Sequence, residues 1–182
     1  DITTLPPYQR IKLGMGRSFQ LINIFPELSV TANVEIAVQA YFKKATSPLE
    51  IIDRKAVKGR TEEILEKFEW SGKLNVKAGT LTHAEQKRLE TILAIASEPE
   101  LLLLDEPAAG LDEDEISHII SLIKDTSENR TVFLTDHDIK FIMKIATNIT
   151  VLHQGRIIAE GLPSEISENR EVQDAYLGGV VT

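Results

Sequence analysis

A chain of 182 residues, 42% hydrophobic and 26% charged, has room for one domain with a real core, and its 10 Gly and 7 Pro exclude a disordered tract or a fibrous repeat. Twenty basic against 28 acidic side chains leave a net charge of −8, which argues against bulk attraction to nucleic acid or an anionic membrane surface. The absence of cysteine removes disulfide frameworks, thiolate-bound zinc, thiol catalysis and iron–sulfur clusters together.

In chain order, Pro6-Pro7 ahead of Tyr8–Leu13, with Gly14 behind, predicts a short helical turn, and Arg17–Gln20 a brief strand. After the Phe25-Pro26 turn, Val34, Val38 and Tyr41 recur at spacings of four and three. They predict a helix, capped by Ser29 or Thr31, that runs to about Phe42. Val57, Ile64, Leu65 and Phe68 mark one face of a charged helix, and Leu89, Ile92, Leu93 and Ala96 mark another that begins near Thr82. No apolar run approaches the ~18 residues that span a bilayer, the longest being Ile92–Ala96 and Leu101–Leu104.

From there the pattern changes to short apolar runs between periodic segments. Leu101–Leu104 is continuous, as in a strand buried on both faces of a parallel sheet. Ile116, Ile119, Ile120 and Ile123 form the stripe of a helix that Asp112 caps, and Thr131–Thr135 is a second strand. The strand–helix–strand order implies a right-handed parallel crossover and an α/β architecture. Ile139, Ile142, Met143 and Ala146 predict a further helix, and Ile149–His153 with Arg156–Ala159 a hairpin on the sheet edge. Short helices are expected after Ser164 and Glu171.

Leu101–Pro107 delivers adjacent carboxylates, Asp105 and Glu106, to the C-terminal end of an apolar strand, where open α/β sheets place their ligand sites. Two readings are open: a capping acid beside a solvated one, or a Walker B element. In the second, Asp105 holds Mg²⁺ and Glu106 takes a proton from a water attacking a γ-phosphate. Thr135-Asp136-His137-Asp138 follows the next strand, so His137 emerges at the same edge: taken alone it reads as a solvent-facing or capping residue, and beside the two acids as a donor whose N–H stabilises charge on a phosphoryl oxygen. Thr82 and Glu85 fit a capping box, and the helix N-terminus they close is also a ready phosphate site. Taken singly, Gln20 reads as a surface glutamine and Ala108–Asp112 as a tight turn.

In this order the segments resemble the nucleotide-binding subunit of ABC transporters. Gln20 matches the Q-loop, Leu81–Gln86 the signature sequence, Leu101–Pro107 Walker B, Ala108–Asp112 the D-loop and His137 the switch histidine. Gly14–Gln20, Phe25–Val30, Val151–Gly155 and Ala175–Gly179 look like branched-chain amino-acid importers in particular. Urea importers, close in the signature around His83 and Gln86-Lys87, and a lipopolysaccharide-export ATPase are also similar.

The resemblance implies a P-loop NTPase-like core with a mostly parallel sheet, an inserted helical subdomain at roughly 25–98, and the C-terminal part of the core at 99–182. It implies ATP and Mg²⁺ as cofactors, with Asp105 and Gln20 at the metal and Glu106, His137 and Gln20 as catalytic groups. Thr82, His83, Ala84 and Gln86 would touch, in trans, nucleotide held by a second ATP-binding subunit, with Asp112 at the dimer seam. Transmembrane permease subunits would dock on Leu21–Phe42, placing the chain on the cytoplasmic face of the membrane, with no nucleic-acid partner.

The sequence departs from the family in two places. The phosphate cradle G-x-x-x-x-G-K-[ST] is absent: Gly72-Lys73 is followed by Leu74, and the residue five before Gly72 is Lys67. Gly14-Met15-Gly16 is no dinucleotide fingerprint either, its third glycine position being Phe19. Asp1–Pro7 has neither an initiator Met nor the regions of a secretory signal. The expectation is therefore a single incomplete nucleotide-binding domain over 1–182, missing its first strands and Walker A helix, inactive alone, with an unpaired sheet edge and an exposed apolar face. A rival reading is a non-catalytic interaction module that binds no nucleotide. The second departure is Thr82 and Ala84 where the family carries Ser and Gly; Thr82 keeps the hydroxyl, and Ala84 adds a methyl where backbone approaches phosphate.

Overall fold

Residues 1–18, 22–45 and 53–176 are described by the structure, a computed structural model, the side chains of 43–45 excepted. They fall into two compact units, Asp1–His137 and Asp138–Thr182. Gln20 lies outside the described residues.

In the first unit, Pro7 at the first helical position starts α1 (Pro7–Lys12), and β1 (Met15–Arg17) begins two residues ahead of the expected strand. The chain then runs through α2 (Val30–Ala45), α3 (Arg54–Lys67) and α4 (His83–Ala96) before β2 (Leu101–Asp105), and through α5 (Glu113–Ser127) before β3 (Thr131–Thr135). The three strands pair in the order β1-β2-β3, all parallel, with Met15 opposite Leu101 and Leu101 opposite Thr131. Helical crossovers of this kind are what parallel neighbours require.

The helix starts are local chemistry. Ser29 caps α2, its Oγ accepting the Ala32 N–H at 3.1 Å, whereas the Thr31 hydroxyl donates to Leu74 O at 2.9 Å. Asp53 caps α3, and reciprocal capping boxes open α4 (Thr82 with Glu85) and α5 (Asp112 with Glu115).

The expectation that β2 is buried on both faces is corrected: Leu102 and Leu104 are buried, but Leu101, Leu103 and Asp105 alternate with them as partly exposed positions. Helices α4 and α5, which contact the strands and contribute Leu89, Ile92, Ile119 and Ile123 to the core, cover one face. On the other, Phe133, opposite Leu103, is 61% exposed. Among the described residues β1 and β3 are sheet edges, and one sheet face carries apolar side chains to the surface.

Close packing of β1 depends on Gly16. A Cβ built there would lie 2.8 Å from Pro99 Cγ and 2.9 Å from the Ala94 carbonyl oxygen, at the corner between α4 and β2. Backbone cannot yield like a flexible side chain, so Gly16→Ala is expected to destabilise the chain by about 1–3 kcal/mol, read as a lower urea midpoint at unchanged slope.

The second unit comprises α6 (Ile139–Ile145), β4 (Ile149–His153), β5 (Arg156–Gly161), α7 (Pro163–Glu168) and α8 (Arg170–Tyr176). Positive φ at Gln154 (49°) and Gly155 (76°) gives the tight turn whose twist suits a hairpin. The hairpin was expected on the edge of the parallel sheet; among the described residues it forms a separate two-stranded sheet. Ile149, Ile166 and Val172 form its core with Ile142, Met143, Val151 and Ile158, so α7 and α8 complete the hairpin's apolar face.

Candidate active site

The carboxyl ends of β2 and β3 are cross-tied. Glu106 N–H donates to Thr135 O at 2.8 Å, and the Thr135 hydroxyl donates to Asp105 Oδ1 at 2.7 Å. These bonds hold Glu106 at φ 47°, a left-handed conformation that costs a non-glycine residue roughly 1–2 kcal/mol. The turn aims the side chain along the sheet edge, where Glu106 Oε1 lies 3.5 Å from His137 Nδ1. Glu106 is 30% exposed and His137 72%, so a carboxylate and an imidazole meet at an edge open to a ligand.

Asp136, which sequence reasoning did not single out, stiffens the same corner. Its side chain is almost wholly buried, Oδ2 accepts the Ala108 N–H at 3.2 Å, and Oδ1 is 3.9 Å from His137 Nδ1. An acid directly beside the histidine is its only sequence signal. The bond depends on Ala108, 28 residues earlier.

At the start of α4, Thr82 and Glu85 close the capping box at 3.3 Å and 3.0 Å, and Lys73 also bonds Glu85. Gln86 turns back on its own chain, its amide donating to the carbonyls of Ala78, Gly79 and Leu81 at 3.2–3.4 Å. His83 stands beside the turn before α5: a methyl at Gly110 would be 3.5 Å from His83 Cε1. Ala84 is half-buried, and the Asp112 carboxylate is engaged in capping α5. The structure thus brings together Glu106 and His137, and separately the α4 start and the α5 turn.

Burial alone would raise the Glu85 carboxyl, but the bonds from Lys73 and Thr82 outweigh it and hold it below the ordinary value of 4.5. A carboxyl lowered on folding contributes stability above its unfolded value, and that contribution is lost as pH falls through the folded one. Glu85→Gln is therefore expected to be less stable than wild type at neutral pH, with the gap closing as pH falls below the ordinary carboxyl value of 4.5 in urea-midpoint measurements.

Among the described residues no three His, Asp or Glu side chains converge as a metal cage. Asp105, with one oxygen accepting from Thr135, could offer a divalent cation a single carboxylate contact rather than part of an all-protein cage. A cleft of about 300 Å³, lined by Arg60, Phe68, Ile95 and Arg130 among others, contains none of the expected site residues.

The sequence profile described as ABC transporter matches residues 2–109. The chain belongs to the ABC transporter family. A second ABC profile, described as branched-chain amino acid ATP-binding cassette transporter, matches residues 156–182. The chain is 33% identical over 187 residues to the high-affinity branched-chain amino acid transport ATP-binding protein BraF of Pseudomonas aeruginosa, covering 98% of this chain and 73% of BraF. It is 34% identical over 190 residues to LivG of Escherichia coli K12, which carries the same description, covering 96% and 71%. The crystal structure of the ADP conformation of MJ1267, an ATP-binding cassette of an ABC transporter, superposes with a TM-score of 0.77 at 23% identity, covering 98% of this chain and 74% of that one. The ABC cassette fold is therefore shared, with the mixed α/β, P-loop NTPase-like architecture expected.

Proposed function

We propose that this chain is the energy-coupling part of an importer of branched-chain amino acids, with ATP hydrolysis at a dimer seam. The observation that carries the catalytic part is the 3.5 Å approach of Glu106 to His137 at adjacent parallel strand ends. Glu106 is the base that takes the proton of the attacking water, and His137 the donor to the phosphoryl oxygen as charge develops. Asp105 and Gln20 would hold Mg²⁺ arriving with the nucleotide, and the ion would supply charge neutralisation on the phosphates. Thr82, His83, Ala84 and Gln86 face the partner subunit's nucleotide, the engaged Gln86 amide acting by fixing the turn ahead of Thr82; Asp112 lies at the seam.

On this reading residues at roughly 25–98 make the helical subdomain and 99–182 the C-terminal part of the core. Phe25, Leu28 and Ile36 are exposed apolar side chains suited to a permease docking surface. No helix among the described residues is long and apolar enough to cross a membrane; the chain sits on the cytoplasmic face through its permeases. The 182-residue chain carries no phosphate cradle, so by itself it hydrolyses no ATP.

The solute assignment is supported by the match over 156–182 and by what BraF and LivG are said to transport. Its test is complementation. The chain, joined to an upstream segment that carries a G-x-x-x-x-G-K-[ST] cradle, is expressed in Pseudomonas aeruginosa lacking BraF. Restored leucine uptake, abolished by Glu106→Gln, is expected; an active ATPase that restores no uptake would move the solute elsewhere.

A further inference from the structure

Segment 22–30, which follows the expected Q-loop, is anchored to α4 and its approach at several points. Leu28 O accepts the Ala78 N–H and Pro26 O the Gly79 N–H, both at 2.9 Å, and Val30 N–H donates to Val76 O at 3.0 Å. Gly79 makes this approach sterically feasible, since a Cβ there would be 3.0 Å from Pro26 Cβ and 3.1 Å from Pro26 O. These bonds hold the segment to the turn just before Thr82. A separate bond, from Asn23 N–H to Glu90 Oε1 at 3.1 Å, ties its start to the middle of α4.

Glu90 is 4% exposed and Lys87, on the same helix, 3%, with Lys87 Nζ 3.8 Å from Glu90 Oε2. Such a pair is a poor source of stability, because desolvation offsets much of the attraction and apolar residues of similar volume often serve as well. What it supplies is direction: a charged acceptor, fixed between buried Leu89 and Ile92, bonds an amide more strongly than a neutral one does. We propose that Glu90 is a positioning residue that holds the segment following Gln20 to the signature helix, so that residues 22–30 and α4 move as one piece. A displacement imposed on the segment is then delivered to Thr82 at the helix start. The meaning of that displacement for transport rests on the ATPase reading above; the tie itself does not.

The test is amide exchange by NMR on the full 182-residue chain. In wild type, Asn23 should exchange in step with α4 amides such as Ile92 and Ala94. Glu90→Gln, which keeps a carbonyl acceptor, should preserve Asn23 protection to within about threefold. Glu90→Ala combined with Lys87→Met removes the acceptor without stranding a buried cation, and should speed Asn23 exchange by roughly tenfold or more while Ile92 and Ala94 stay unchanged. Asn23 remaining as slow as in wild type, or all three amides accelerating together, would overturn the proposal. If the double variant does not fold, the scalar coupling between the Asn23 amide nitrogen and the Glu90 carboxylate carbon decides on the unmutated protein: detection supports the tie and absence rejects it. Neither readout uses nucleotide, so failure of the tie and failure of the ATPase reading are separable.

Discussion

Mg-ATP titrated into the 182-residue chain is expected to give no binding heat in calorimetry and no phosphate release. The reason is positional. Catalysis of phosphoryl transfer is mainly positioning and charge stabilisation, and holding reactants in register is worth about 7–11 kcal/mol of barrier. Glu106 and His137 are already 3.5 Å apart, but the backbone N–H groups and lysine that would place a γ-phosphate against them are not in this sequence. Joining an upstream segment that carries a G-x-x-x-x-G-K-[ST] cradle should create Mg-ATP binding and turnover. In that hybrid, Glu106→Gln should lower kcat by about 10²–10⁴-fold and His137→Ala by about 10²–10³-fold, with nucleotide affinity largely retained. Phosphate release by the short chain that vanished in Glu106→Gln would defeat this account and direct attention to the helix start at Thr82.

What could be read from the sequence was what is decided within a few residues. The capping boxes of α4 and α5 are complete in Thr82–Glu85 and Asp112–Glu115, because both partners lie within one turn. The leucine run of β2 announced a strand with two acids at its end, and the second apolar run placed His137 at the same edge. The contacts that give this edge its geometry are non-local: Thr135 and Asp136 reach back to Asp105 and Ala108, across 30 and 28 residues. Nothing in local periodicity announces such a pairing. The second face of β2 was misjudged for a related reason, since an uninterrupted apolar run says that a strand tolerates burial on both sides, not that a layer covers both. Glu90 and Asn33 were passed over because a polar side chain at an inward helical position looks like a solvated one until its partner is known.

Asn33→Ala is expected to cost about 2–4 kcal/mol in urea unfolding. Asn33 is 1% exposed at the start of α2, and its amide closes the loop that precedes it. Oδ1 accepts the Phe25 N–H at 2.8 Å, while Nδ2 donates to the carbonyls of Phe25 and Ser29, each at 3.0 Å. Removing the amide takes the acceptor from Phe25 N–H, whereas Phe25 O keeps the Leu28 N–H and Ser29 O the Asn33 N–H, so the cost stays below the sum of three lost bonds. Asn33→Asp separates the bonding from the volume. It keeps the acceptor for Phe25 N–H but turns a second oxygen towards two carbonyls, so it should destabilise at least as much at neutral pH. A folded-state carboxyl disfavoured in its charged form is raised, so protonation in acid should recover part of the loss. A cost for Asn33→Ala below about 0.5 kcal/mol would mean that the loop is held by its backbone bonds to 76–79 alone, and that the helix-to-loop clamp is dispensable.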